Sequence, residues 1–152
     1  MHGMLGDMAT FLTYDDERSR AFLSVVGVQI LRVGDENYDA VMADVLGTQT
    51  DERGRIVAEP PTDDEAAKAG MGAWHINAGN EFETVLSGQG IVEFMTDKGA
   101  VAVLLEAGDI MAVERAEHRY RPLTHQEWIL RFEGDDLGAV DTGRVSGPWP
   151  TV

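Results

Sequence analysis

The chain has 152 residues, 43% of them hydrophobic, with 27 acidic against 12 basic side chains and a formal charge of -15. That length suits one domain with its own core, and that charge repels phosphate backbones and anionic bilayers, which sets nucleic acid and membranes aside as partners. There is no cysteine, so disulfides, thiolate metal sites and cysteine nucleophiles are excluded, and a cytoplasmic setting is expected.

Residues 1–7 have no basic region followed by a sustained apolar one, so they do not read as a secretion leader. Residues 9–13 are a short apolar stretch of strand character, ended by the acidic turn Tyr14-Asp15-Asp16-Glu17. A helix is predicted over residues 16–26 and stops at Gly27, with Ala21, Phe22, Val25 and Val26 on its apolar face. Residues 28–33 alternate as a strand. A second helix is predicted over 35–46, with Asp35 as N-cap, an apolar stripe of Tyr38, Val41, Met42 and Val45, and Gly47 as its stop. Residues 48–70 read as a surface loop with one strand-like piece at 56–58.

From residue 72 the texture changes. Short β-rich runs follow one another at 73–77, 82–87, 90–96, 100–105, 110–113, 118–123 and 127–132, separated by Gly- and Asp-containing turns. Such spacing predicts an antiparallel sandwich or barrel. The tail, 134–152, shows little periodicity, and Trp149 is the residue expected to anchor it. The whole, 1–152, is therefore expected to be a single mainly β domain: an N-terminal helix and strand part (1–70), a barrel core (71–133) and an irregular tail (134–152).

Four histidines occur: His2, His75, His118 and His125. His75 and Asn77 are two apart on a strand and share a face. Glu81 follows a Gly-containing turn, and Gly88 lies seven residues further on. The pattern is His-x-Asn-x3-Glu-x6-Gly, and about twenty residues later come Gly108-Asp109, a short strand, a loop and His118. His2 and His125 have no such company and are expected at the surface.

These two motifs resemble the signature of the cupin superfamily, and within it the chain is most similar to acireductone dioxygenase. The likeness is carried by Glu81-Phe-Glu-Thr-Val-Leu-Ser-Gly-Gln-Gly90 and Gly108-Asp-Ile-Met-Ala-Val113. It covers residues 74–132 clearly, and the N-terminal half in outline. It implies a small double-stranded β-helix, or jelly-roll, barrel with a few short N-terminal helices. It also implies a metal site in which His75, Glu81 and His118 are ligands. Asn77 would be a fourth ligand or a hydrogen-bond partner of metal-bound water. Two imidazoles and a carboxylate can occupy one face of octahedral Fe(II) or Ni(II), leaving adjacent positions for substrate and dioxygen.

Three positions depart from the family pattern. Asn77 replaces the second motif histidine. Glu114-Arg-Ala-Glu-His118 lacks a proline and is one residue shorter than the family's loop. Glu83 stands in the inward slot where the acireductone enzymes carry an arginine for an anionic substrate. A buried Glu83 beside Glu81 would have a raised pKa without metal and would suit a general acid or base; the alternative is a solvent-facing charge at the barrel mouth. By parity Tyr120 points inward with His118 and would order the substrate, while Trp74 and Trp128 are expected to pack. Arg119 and Arg121 are expected to face solvent or pair with acidic groups.

The reading these residues favour is a metal-dependent cupin oxygenase acting on a small polar enol or carbonyl metabolite. The alternative is a non-oxidative cyclase, isomerase or dehydratase using Glu81 and Glu83 as acid and base, with weak or no metal. A ligand-binding module without catalysis is the third. A small molecule is the expected partner, and an exposed N-terminal strand leaves room for a homodimer.

Overall fold

The computed structural model describes residues 10–47, 55–60, 62, 72–77, 79–133 and 139–150. His2, Ala9 and most of the 48–70 loop fall outside them. The elements run α1 (Asp16–Val25), β1 (Val28–Leu31), α2 (Tyr38–Gly47), β2 (Arg55–Ala58), β3 (His75–Asn77), β4 (Asn80–Ser87), β5 (Gly90–Thr96), β6 (Gly99–Leu105), β7 (Ile110–Glu114), β8 (His118–Pro122), β9 (Gln126–Glu133) and β10 (Ala139–Asp141). Every strand pairing is antiparallel, and the strands form two sheets, β1-β7-β4-β9-β2 and β10-β3-β8-β5-β6. This is the mainly β architecture with short N-terminal helices that the sequence leads one to expect. No helix among the described residues is long and apolar enough to cross a membrane.

The inner faces of the two sheets share one core. Val28, Ile30, Val85, Met111 and Val113 come from the first sheet, and Val92, Phe94, Val101, Val103 and Leu105 from the second. Strand alternation sends every second side chain inward, so these runs fill the interior while their neighbours turn out. The outer faces are covered separately. Tyr38, Val41 and Met42 of α2 lie on Leu31 and Ile110. Leu12, Leu123 and Trp149 lie on Ile91, Ala102 and Leu104, so Trp149 anchors the tail as expected.

The turn glycines of the two motifs have a structural cause. Gly88 has φ +81°, and a Cβ there would overlap the His125 carbonyl oxygen and lie 2.9 Å from the Cα of Gln126. The chain entering β9 passes so close that only glycine fits. Gly108 has φ +94°, and the next residue, Asp109, accepts hydrogen bonds from the Glu106 backbone N–H (2.8 Å) and from Arg32 Nε (3.0 Å). The Gly-Asp pair thus builds a turn and ties it to the N-terminal half.

Several expectations are corrected. Residues 10–12 do not form a full strand but a short strap along β6, with Leu12 N–H bonded to Ala102 O and Leu104 N–H to Thr10 O. α1 starts as expected, capped by Asp15 accepting from Arg18 N–H, and Phe22 and Val26 of the expected face pack on the core, but the buried residues are Ser19 and Leu23, and Val25 is left 76% exposed. α2 begins at Tyr38, not Asp35, because Asn37 takes a left-handed φ of 67°. Asp35 instead accepts from Arg32 N–H at 2.8 Å. Part of the tail is regular: β10 pairs with β3, with Asp141 opposite His75 and Ala139 opposite Asn77.

Candidate functional site

The two sheets enclose a cavity of about 210 Å³ to which each contributes five lining residues. Glu81, Glu83, Met111, Trp128 and Leu130 come from the first sheet, and His75, Asn77, Val92, His118 and Tyr120 from the second. All six residues singled out in the sequence, His75, Asn77, Glu81, Glu83, His118 and Tyr120, meet here. A larger recess of about 630 Å³ lies between α1 and strands β1, β4 and β7. Its charged lining is only Arg20 and Glu114, so it gathers no comparable chemistry.

The register explains the convergence. His75 and His118 are direct cross-strand partners on β3 and β8, and their rings lie 4.3 Å apart. On β4, Glu81 and Glu83 alternate inward together, next to Val113 and Met111 of β7. The His118 ring is backed by Phe94 at 5.7 Å. Each imidazole is held from behind: Nδ1 of His75 lies 2.9 Å from Ala73 O, and Nδ1 of His118 lies 2.8 Å from Ala116 O. A carbonyl oxygen can only accept, so Nδ1 carries the hydrogen in both and Nε2 is left for the cavity. Outer partners of this kind are what orient metal-binding histidines.

The acidic residues are deeply buried, Glu81 at 3% and Glu83 at 4% exposure. Glu83 therefore does not sit at a solvent-facing mouth. Burial first, then the charge of Glu81 and a hydrogen bond with it, hold the Glu83 carboxyl well above the usual range. Two carboxyls buried side by side resist ionising together. Burial pulls the His118 imidazole down, against the opposing pull of Glu81, which favours its neutral form. Burial, with the charge of Glu83, pushes the Tyr120 phenol up. Its hydroxyl donates to Gln126 Oε1.

Among the described residues, five buried side-chain polar atoms lack a hydrogen-bond partner: Asn77 Oδ1, Glu81 Oε1, Glu83 Oε2, Thr84 Oγ1 and Trp128 Nε1. Four of the five belong to residues lining this one cavity. Folded proteins pair nearly all such atoms, so a cluster of unpaired ones points to a bound ion or ligand. The donor types, two imidazoles, a carboxylate and an amide oxygen, fit a divalent transition metal. The arrangement is looser than a ligand shell. His118 Nε2 and Glu81 Oε1 are 3.6 Å apart, and among the described residues no three His, Asp or Glu side chains stand close enough to encircle an ion.

Sequence parity missed part of the wall. Trp128, expected to pack, lines the cavity with Leu130. The signal was local: Trp128 and Leu130 share parity on β9, opposite to Glu127 and Ile129. Trp74 does pack, 3% exposed under the Arg119 guanidinium. Arg119 faces away from the cavity as expected, yet it is 2% exposed and bonded to Glu93. His125 is at the surface as expected, between Glu59 and Glu127.

The buried Glu83 makes stability depend on pH. Folded Glu83 keeps a proton that the unfolded chain gives up as soon as pH rises past the ordinary carboxyl value. Stability of the metal-free chain should therefore fall with rising pH from about 4.5 upward. Glu83→Gln keeps the shape without the proton and should flatten that fall. Melting temperatures of chelated protein between about pH 5 and 9 would show it, and superimposable profiles would refute a buried, protonated Glu83.

Comparison with protein-family models and with curated protein sequences gives no match. Among solved structures, the chain is similar to acireductone dioxygenase from Bacillus anthracis with a cadmium ion in its active centre. The TM-score is 0.53 at 19% identity, over 78% of this chain and 85% of that one. Two looser likenesses are to oxalate decarboxylase from Bacillus subtilis (TM-score 0.44, 19% identity, 58% of this chain and 22% of that one) and to a DUF861 family protein from Thermotoga maritima (TM-score 0.43, 14% identity, 70% and 99%).

Proposed function

The chain has the fold of the cupin superfamily, and on that premise we propose that it is a metal-dependent enzyme of the acireductone dioxygenase-like kind, acting on a small polar enol or carbonyl metabolite. The carrying observation is the cluster of four unpaired buried polar atoms around a cavity into which two oriented imidazoles deliver Nε2. His75, Glu81 and His118 would hold the ion, with Asn77 as fourth ligand or as partner of bound water. The cadmium ion in the active centre of the Bacillus anthracis protein supports a metal at the corresponding place here, with Fe(II) or Ni(II) the physiological candidates. Such an ion, when bound, would polarise a substrate oxygen and, as Fe(II), open the site to dioxygen.

The chain's own groups divide the remaining work. Ala73 and Ala116 carbonyls hold the imidazoles in the ligating orientation. Glu83, with its proton, would deliver or take a proton at the substrate from beside Glu81. Val92, Met111, Leu130 and the Trp128 ring would form the apolar wall against the substrate.

Metal analysis after mild purification should find about one transition ion per chain, since the cavity gathers one set of donors. Finding none, with none restored on adding Fe(II) or Ni(II), would sink the proposal. A second reading is favoured by the Glu81–Glu83 pair: a non-oxidative cyclase, isomerase or dehydratase in which that pair does the proton transfers. Oxygen uptake measured beside turnover separates the two, because undiminished turnover under anaerobiosis belongs to the second.

A further inference from the structure

The same cavity limits what it can select, a conclusion that rests on the reading of this cavity as the active site. At about 210 Å³ it is smaller than the usual ligand pocket, which suits a small metabolite. Ten of the described residues line it, five from each sheet.

The polar groups are also arranged by type. His75, Asn77, Glu81, Glu83 and His118 gather the acceptors and the ion-binding groups. The remaining wall is apolar, apart from the hydroxyl of Tyr120 and the indole N–H of Trp128. Tyr120 already donates its proton to Gln126 Oε1. Trp128 Nε1 is buried, has no partner, and can only donate. A buried donor left unpaired has given up its hydration with nothing in exchange, a cost that a bound acceptor would remove.

From this we infer that Trp128 is a specificity-determining residue whose indole N–H receives an uncharged acceptor of a small ligand, a carbonyl or ether oxygen. The Trp128 ring, set at 5.1 Å from Tyr120 and cross-strand from Val85, is placed for that contact by β9.

The test uses the whole chain, as purified and after chelation, with two probes of similar size: 2-pyrrolidinone, a lactam with a carbonyl acceptor, and cyclopentane, which has none. The three tryptophan indole N–H signals are followed by two-dimensional NMR and assigned with Trp128→Phe. The lactam should shift the Trp128 signal downfield, and cyclopentane should not. Trp128→Phe should weaken lactam binding roughly tenfold, the effect of about one hydrogen bond. It should leave metal content unchanged. A Trp128 signal that ignores the lactam, or that moves downfield as far with cyclopentane, overturns the inference. Metal content is measured on the same samples, so loss of the metal reading and loss of this one are told apart. Should Trp128→Phe fold poorly, the wild-type titration with the two probes decides alone.

Discussion

Replacing His118 with Ala should empty the proposed metal site and stop turnover. His118 is buried at 4% exposure, its Nδ1 is tied to Ala116 O, and its Nε2 is the cavity nitrogen nearest to Glu81, at 3.6 Å. Losing a partner that only orients a ligand lowers metal affinity about 10–100-fold, so losing the imidazole itself should exceed the upper end of that range. Metal retained per chain after desalting, and the binding isotherm of added Ni(II), would measure it. Far-ultraviolet circular dichroism should stay that of the wild type, because the position lies on β8 beside a cavity and its removal takes away no strand pairing. Unchanged occupancy would remove His118 from the site and leave the acid–base reading in possession of the cavity.

The largest expected effect on stability comes from the other face of the same strand. Arg119 donates through Nε to Glu93 Oε1 at 2.6 Å, and through its other nitrogens to Gly147 O (2.8 Å) and Pro148 O (3.2 Å). Its guanidinium carbon lies 3.9 Å from the Trp149 ring centroid and 5.3 Å from that of Trp74. Arg119→Ala would leave Glu93, 7% exposed, as a buried charge without its partner, and would untie the tail that covers the outer face of the second sheet. Breaking a buried pair in this way costs about 3–5 kcal/mol. For a chain of this size that lowers Tm by roughly 6–20 °C. Urea and thermal denaturation would read it, and Glu93→Gln combined with Arg119→Met should recover part of the loss. A loss below about 1 kcal/mol would show the pair to be an ordinary surface ion pair.

What the sequence by itself determined is the part governed by short-range rules. Residues two apart on a strand share a face, so alternation alone aims His75 with Asn77, Glu81 with Glu83, and His118 with Tyr120 in one direction. Gly88 and Gly108 marked turns because their backbone angles need glycine. The tertiary structure alone decided the rest, since it depended on which distant segment covers which face. Val25 is apolar yet exposed, while Leu23 and Ser19 of the same helix are the residues that the sheets cover. Arg119 is buried because residues 147–149, nearly thirty positions away, fold back over it and supply two carbonyls and a ring. Trp128 lines the cavity and its buried N–H has no partner, because which distant groups reach it is set by how the sheets pack. Glu83 holds its proton because two sheets close over it, and no local pattern in the chain encodes the depth of that burial.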